Sequence, residues 1–277
     1  MLDYCNHIIR EFEKKLADIK PYREKKKLYT GVDLGTAYIV LAVIDEEGNP
    51  VAGASVYAEV VRDGVVVDFI GACWIVKELK ETLEAQLETK LGPAAVAYPP
   101  GVNQAEVRSF QYVAESAGFD VIGFIDEPTA ANLVLKIEDG AVVDVGGGTT
   151  GVAIFKEGEA VYTADEATGG TQITLVISGA LHKKFAEAEA IKKDKDRQEE
   201  LLPLIRPVME KIATIIGSHI DGRDIDHVIL VGGTCCNPYI EKIIAEELKI
   251  RVEKPENPLF VTPLGIAHVA RNADRSG

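Results

Sequence analysis

The sequence is poor in the residues that build metal clusters and disulfide frameworks. It has four cysteines among 277 residues (Cys5, Cys73, Cys235 and Cys236), and none belongs to a Cys-x-x-Cys pair or to a histidine pattern typical of zinc. Cys235 and Cys236 are adjacent, which suits neither an ordinary disulfide nor one tetrahedral metal site. This cysteine usage is typical of a reduced, cytoplasmic protein.

Positive charge is also scarce. The chain has 30 Lys and Arg against 44 Asp and Glu, a net charge of −14. Nucleic acids and anionic membranes attract basic surfaces, so neither is an expected partner. A nucleotide needs only a local positive pocket and is not excluded. No apolar run approaches the roughly 20 residues that cross a bilayer, and the N-terminus lacks the apolar core of a secretory signal.

The chain does have a repeated α/β pattern. Three strand-like segments followed by alternating helices and strands occur twice, beginning at Leu28 and at Ala141. This internal duplication predicts two α/β domains around one cleft. We assign residues 28–140 to domain I and 141–262 to domain II, and expect a C-terminal helix over 263–277 to pack back on domain I.

Each half opens with an aspartate at the end of an apolar run. The motifs are Gly31-Val32-Asp33-Leu34-Gly35-Thr36 and Val143-Asp144-Val145-Gly146-Gly147-Gly148-Thr149. Each predicts a strand running into a tight turn whose backbone N–H groups can hold an anion. A strand follows each turn, unlike the strand–loop–helix order of a P-loop. Two such hairpins predict a two-sided grip on a polyphosphate, with one carboxylate from each side for a metal.

Three other segments are interpreted from their local sequence pattern alone. In the N-terminal segment 1–27, apolar residues recur at helical spacing, which predicts a helix that either packs on its own domain or docks a partner or protein shell. The charged run Glu189 to Glu200 predicts a solvated segment. The lone Trp74 is expected to pack a helix.

With three further motifs, these hairpins resemble the actin, sugar-kinase and heat-shock ATPase superfamily. Asp126-Glu127-Pro128-Thr129-Ala130-Ala131 is similar to its first connecting element, Val231-Gly232-Gly233-Thr234 to its adenosine loop, and Thr262-Pro263-Leu264-Gly265-Ile266-Ala267 to its second connecting helix. The motifs fall in the family's order between residues 28 and 271. Within the superfamily, the compact size and opening helix are most similar to the chaperone-like branch of bacterial ethanolamine-utilisation operons.

The resemblance implies duplicated ribonuclease-H-like (actin-like ATPase) domains with ATP or ADP and Mg²⁺ in the central cleft. It implies that Asp33 and Asp144 hold Mg²⁺ through water, that Glu127 orients or deprotonates the attacking water, and that Thr36 and Thr149 bind the γ-phosphate. The implied catalytic residues are Asp33, Glu127, Asp144 and Thr149. The implied nucleotide-binding residues are Gly35, Thr36, Ala37, Tyr38, Gly146, Gly147, Gly148, Thr149, Thr150, Gly169, Gly170, Gly232, Gly233 and Thr234.

The sequence departs from the superfamily pattern at three places. No lysine matches the one that an inserted lobe of the heat-shock relatives brings to the phosphates, so slow hydrolysis is expected. Cys236 stands where those relatives have an adenine-stacking arginine, and Arg197 or Arg206 is the expected substitute. The chain ends after the second connecting helix, so no peptide-binding domain is expected.

Three functions remain open at this point. The first is a nucleotide-switched chaperone or assembly factor for ethanolamine-utilisation enzymes or microcompartment shell proteins, docked through residues 1–20. The second is a non-hydrolysing scaffold of the cytoskeletal or pilus type, which Val61 to Val67 resemble. A small-molecule kinase is disfavoured, because the segment from Asp45 to Pro93 is short for a substrate lobe.

Overall fold

The computed structural model describes residues 2–276 and has an α/β architecture. The first half contains α1 (Asp3–Ala17), β1 (Leu28–Leu34), β2 (Tyr38–Asp45), β3 (Pro50–Tyr57), β4 (Val61–Arg62), β5 (Val65–Val66), α2 (Phe69–Leu87), β6 (Pro93–Tyr98), α3 (Gln104–Ser116), β7 (Asp120–Asp126) and α4 (Glu127–Leu135). The second contains β8 (Gly140–Val145), β9 (Thr150–Lys156), β10 (Glu159–Glu166), α5 (Gly170–Leu181), α6 (Phe185–Lys193), α7 (Gln198–Ile220), β11 (His227–Val231), α8 (Ile240–Leu248), β12 (Arg251–Glu253) and α9 (Val261–Ser276).

Two five-stranded sheets carry the repeated pattern. Their strand orders are β3-β2-β1-β6-β7 and β10-β9-β8-β11-β12. In each sheet, three antiparallel strands are followed by two parallel ones. The central strands β1 and β8 are buried almost throughout, which explains their continuous apolar sequence. The predicted duplicated fold is therefore confirmed.

Helices α4 and α9 lie between the sheets and pack on each other. Helix α9 lies close to β1 and to α4 because two positions are glycine. A Cβ at Gly31 of β1 would collide with the carbonyl oxygen of Pro263, and a Cβ at Gly265 of α9 would collide with the carbonyl oxygen of Ala130. The two helices begin beside the ends of β7 and β8. This placement brings Glu127 and Thr262 to the same region between the two sheets.

The N-terminal helix packs on its own chain. Its buried side chains are Cys5, Ile8, Ile9 and Phe12. The Phe12 ring fills the space above Gly53 and meets Phe260 edge-on, with ring centroids 5.3 Å apart. On the polar side, Arg10 Nη1 lies 2.7 Å from Glu256 Oε1. The packing interpretation is confirmed for the apolar face, which is not free to dock a partner.

The expectation for Trp74 is wrong. Trp74 is 64% exposed because the buried stripe of α2 includes Ala72 and Val76. A residue two positions from Ala72 lies about 200° around the helix from it. The charged run Glu189 to Glu200 is mostly exposed, as expected, but Glu189 and Gln198 within it are buried.

The first prediction concerns α1. Phe12→Ala should lower the free energy of unfolding by about 3–5 kcal/mol, because it leaves a cavity between α1, β3 and Phe260. Urea unfolding followed by circular dichroism measures this change. Lys14→Ala is the control; Lys14 is exposed and pairs only with Glu11, so its effect should stay within about 0.5 kcal/mol. Equal stability of both variants would contradict the packing of α1.

Candidate functional site

A cleft lies between the sheets, where β1 and β8 end in their turns. The predicted residues that line it are Asp33, Gly35, Thr36, Ala37, Tyr38, Glu127, Asp144, Gly146, Gly147, Gly148, Thr149, Gly232 and Gly233. The motifs that are far apart in sequence thus meet in one place. Residues not predicted from the sequence, among them Gly64, Pro99, Leu259 and Thr262, complete the wall.

The two turns are closed in the same way. Gly35 N donates to Tyr38 O at 3.0 Å, and Gly146 N donates to Thr149 O at 3.0 Å. Within residues 2–276, the amides of Thr36, Ala37, Gly147 and Gly148 donate no hydrogen bond. A set of unpaired backbone amides in a tight turn is a typical anion site.

Some predicted residues support the second turn and do not line the cleft. Gly170 N donates to Gly146 O at 3.0 Å, and Thr234 Oγ1 donates to the same oxygen at 2.7 Å. Thr150 Oγ1 donates to Thr168 O at 2.7 Å. The predicted residues in this supporting layer are Thr150, Gly169, Gly170 and Thr234.

Glu127 is positioned by the first turn of α4. Asp126 caps this helix through its side-chain oxygen, which accepts from Thr129 N at 3.0 Å, and Pro128 fits the first turn. Glu127 therefore sits at the positive end of the helix dipole. Even so, burial raises its pKa well above the usual value, and Asp144 and Asp33 raise it further.

The two predicted metal-binding carboxyl groups are buried as well. Burial raises the pKa of Asp33 to about 8, and the nearby Asp144 adds to this. Burial raises the pKa of Asp144 to about 6, partly offset by the hydroxyl of Thr262, which donates to Asp144 Oδ2 at 2.6 Å. Without a metal ion, the carboxyl groups of the site therefore retain protons at neutral pH.

Asp165 is a fourth acidic residue, which the sequence analysis missed. Burial raises its pKa to about 7, with the neighbouring Thr149 acting in the opposite direction. Its Oδ1 is buried without a hydrogen-bond partner in the described part of the chain. The available signal was an aspartate at a strand end shortly before Gly169-Gly170, as in the two hairpins.

The donor set fits a hydrated Mg²⁺. Its members are hard carboxylate and hydroxyl oxygens, which this ion prefers, and no Lys or Arg of residues 2–276 lines the cleft to balance their charge. No group of three or more Asp, Glu, His or Cys among these residues is arranged to ligate one ion directly. An ion here would thus keep water and phosphate oxygens as most of its ligands.

Next to Gly170, α6 brings a charged cluster that the sequence analysis did not anticipate. Glu189 lies 2.6 Å from Lys192 Nζ and 3.1 Å from Lys193 Nζ, and accepts from Thr174 Oγ1 at 2.5 Å. Lys192 Nζ also donates to Gly170 O at 3.2 Å. Through Gly170, Lys192 is thus linked to the second turn.

The expected substitutes for the missing arginine are engaged elsewhere. Arg197 pairs with Glu200, and Arg206 pairs with Glu210 and Glu246. Neither lines the cleft.

Comparisons with known proteins agree with this geometry. A family model described as cell division protein FtsA matches residues 141–265. The ethanolamine utilization protein EutJ of Escherichia coli (strain K12) is 42% identical over 257 residues, which are 92% of this chain and 91% of that protein. The chain belongs to the EutJ family. The predicted resemblance is confirmed.

Solved structures of other proteins have the same fold. The crystal structure of EutJ from Carboxydothermus hydrogenoformans matches with a TM-score of 0.89 and 43% identity, covering 95% of this chain and 97% of that one. MreB5 of Spiroplasma citri bound to AMPPNP matches with a TM-score of 0.70 at 16% identity, covering 91% and 98%, which is a likeness of fold alone. No helix within residues 2–276 is long and apolar enough to cross a membrane.

The buried carboxyl groups predict an unusual pH dependence for this EutJ family member. Since folding raises their pKa values, the native state binds more protons than the unfolded state from about pH 4 to pH 8, and metal-free stability should fall as pH rises through that window. Asp33→Asn removes one such charge. At pH 8 it should raise the Tm of the metal-free protein by about 3–8 °C.

Differential scanning fluorimetry between pH 5 and 8.5, with a chelator present, measures both effects. Asp224→Asn is the matched control, because Asp224 is exposed and its positive φ of 54° suits asparagine. A metal-free Tm that rises with pH, or a lower Tm for Asp33→Asn, would contradict this electrostatic account.

Proposed function

We propose that this protein binds Mg²⁺ with ATP or ADP in the cleft and acts as a nucleotide-switched chaperone-like or assembly factor for ethanolamine-utilisation enzymes. The observation that carries the proposal is the pair of equivalent turns, each with unpaired amides and a buried aspartate, on opposite sides of one cleft. A polyphosphate with its cation satisfies both the amides and the carboxylates. The AMPPNP-bound MreB5 has the same fold, which supports a nucleotide as ligand.

Each part of the site then has a role. The amides of the two turns bind phosphate oxygens, and the hydroxyls of Thr36 and Thr149 add donors. Asp33 and Asp144 hold the hydrated ion, with Thr262 fixing the orientation of Asp144. Bound Mg²⁺ supplies charge neutralisation between the phosphates.

Glu127 handles the attacking water. It is a buried carboxyl group whose raised pKa suits proton transfer near neutral pH, and it lines the cleft beside Asp33 and Asp144. Asp165 positions Thr149 from behind. Because no Lys or Arg of the described residues lines the cleft, we expect slow turnover, which suits a switch.

We assign no cation to the base. Lys192 and Glu189 pair with each other beside Gly170, behind the second turn, and do not line the cleft. Cys236 is exposed and offers no planar cation. We therefore expect modest preference for adenine over guanine.

The name of the relatives supports the cellular part of the proposal. The EutJ relatives are named ethanolamine utilization proteins, and we propose that this protein acts on the enzymes or shell proteins of an ethanolamine microcompartment. Residues 1–20 can contribute only their polar face to such a contact, because their apolar face is buried.

Isothermal titration calorimetry and a single-turnover ATPase assay test the proposed site. Asp144→Ala should weaken Mg-ATP binding by about 10- to 100-fold, since it removes one of the two carboxylates that orient the hydrated ion. Glu127→Ala should keep binding within about threefold and reduce the hydrolysis rate by about 10²- to 10⁴-fold. The proposal fails if the wild type does not bind Mg-ATP, or if both variants bind and hydrolyse normally.

A non-hydrolysing scaffold is the second candidate, favoured by the lack of a cation at the phosphate end of the described cleft. The scaffold would use the same nucleotide site but would assemble without hydrolysing the nucleotide. Light scattering that rises with ATP, together with no turnover, would favour the scaffold. A monomer that turns over slowly favours the switch.

A further inference from the structure

The cleft is closed, with its two turns in contact. A Cβ placed on Gly147 would lie 3.2 Å from both Thr36 Cβ and Ala37 Cβ, and one on Gly148 would lie 3.0 Å from Asp63 N. Asp63 is at the tip of the β4–β5 hairpin. A triphosphate cannot enter between these turns unless the domains move apart.

A cation held between two aromatic rings bridges the domains beside this closed cleft. Tyr38 starts β2 and Tyr57 ends β3, and the two are direct cross-strand partners. Their rings meet edge-on, with centroids 5.8 Å apart and planes at 81°. Lys193, from α6 of domain II, places its Nζ 4.8 Å from the Tyr38 centroid and 4.5 Å from the Tyr57 centroid. We name these three residues the clasp.

Each side of the clasp makes a further polar contact. On the domain I side, Tyr57 OH donates to Glu59 Oε1 at 2.7 Å. On the domain II side, Lys193 Nζ lies 3.1 Å from buried Glu189, itself fixed by Thr174. Burial favours a neutral Lys193, but its hydrogen bonds to Tyr38 and Glu189 outweigh this and raise its pKa. The lysine therefore stays charged.

We propose that the clasp gates the nucleotide cleft, so that nucleotide enters and leaves only when Lys193 separates from Tyr38 and Tyr57. The inference rests on the proposed nucleotide site and adds what controls exchange there. Tyr38 links the gate to the site, because it closes the first turn by accepting from Gly35 N.

A gate and a direct ligand contact have different kinetic signatures. The clasp stabilises the closed protein with or without nucleotide, so its loss makes opening easier in both states. Association and dissociation then accelerate by the same factor and Kd is unchanged. A residue that touches the nucleotide changes Kd, mainly through the dissociation rate.

Stopped-flow fluorescence with N-methylanthraniloyl-ADP and Mg²⁺ measures both rates. Lys193→Met keeps the length of the side chain and removes the charge, and Tyr57→Leu removes one ring. Each should raise both rates by about three- to tenfold, from the usual strength of a cation–π contact, and the double variant should exceed neither by more than about twofold.

Two further variants serve as controls. Tyr57→Phe keeps the ring and removes only the solvent-exposed hydrogen bond to Glu59, which contributes little, so both rates should stay near wild type. Lys183→Met removes an exposed lysine from the loop before α6, whose only acidic contact is Glu187 at 4.0 Å, and should change neither rate. Unchanged rates in Lys193→Met and Tyr57→Leu would overturn the gate. A faster dissociation alone, with a proportional rise in Kd, would show that Lys193 is a ligand contact instead.

A second readout does not depend on the proposed function. In nucleotide-free protein, amide hydrogen exchange of residues 34–38 and 146–149 should be faster in Lys193→Met and Tyr57→Leu than in wild type and the controls, because an open cleft exposes both turns to solvent. If wild type binds no nucleotide, the proposed function fails, and this measurement still decides the gate. Equal exchange in all variants would refute it.

Discussion

The burial of acidic side chains at the junction of two domains is the constraint on which the rest of the structure depends. Asp33, Asp144, Asp165 and Glu127 lie close enough to raise one another's pKa or to share the same neighbours, with no Lys or Arg of residues 2–276 lining the cleft. Such a cluster is unfavourable without a cation, because charges removed from water must be paired or protonated. The ion and anionic ligand that we propose for the cleft would relieve this cost.

The remaining architecture holds this cluster in place. Glycines at positions 31 and 265 let α4 and α9 approach each other and the first sheet closely, which brings Glu127 and Thr262 to the aspartates. The supporting layer at Gly170 and Thr234 fixes the second turn from behind. In the gate that we propose, the clasp connects α6 to β2 and β3 through residues that carry no negative charge. The clasp contacts therefore favour a closed cleft, whereas repulsion among the buried carboxylates favours an open one. Such a balance suits a protein that changes state with its ligand.

Much of the fold could be predicted, because elements with a strong apolar periodicity can be recognised in the sequence. The central strands are continuous apolar runs, and the two hairpins repeat the same Asp–Gly–Thr chemistry. The start of α4 was predictable for the same reason, since Asp126 and Pro128 are a typical cap and first-turn residue.

The missed features depend on tertiary contacts that leave little mark on local sequence. Asp165 stands in an ordinary-looking strand end, and only the meeting of β10 with the second turn brings it to Thr149. Glu189 and Lys193 are part of a charged run, and their contacts with Thr174 and the tyrosines distinguish them. Trp74 illustrates the reverse case, because an aromatic residue on α2 stays exposed when its neighbours form the buried stripe.

The most direct test of the central claim counts protons. If a hydrated cation and a nucleotide occupy this carboxylate cluster, binding must expel the protons that Asp33 and its neighbours retain at neutral pH. Titration of Mg-ADP into the protein at pH 7, in two buffers of different ionisation enthalpy, measures that release. The account predicts the loss of about one proton or more per nucleotide bound, falling below half of that in Asp33→Asn. Binding without proton release would contradict it.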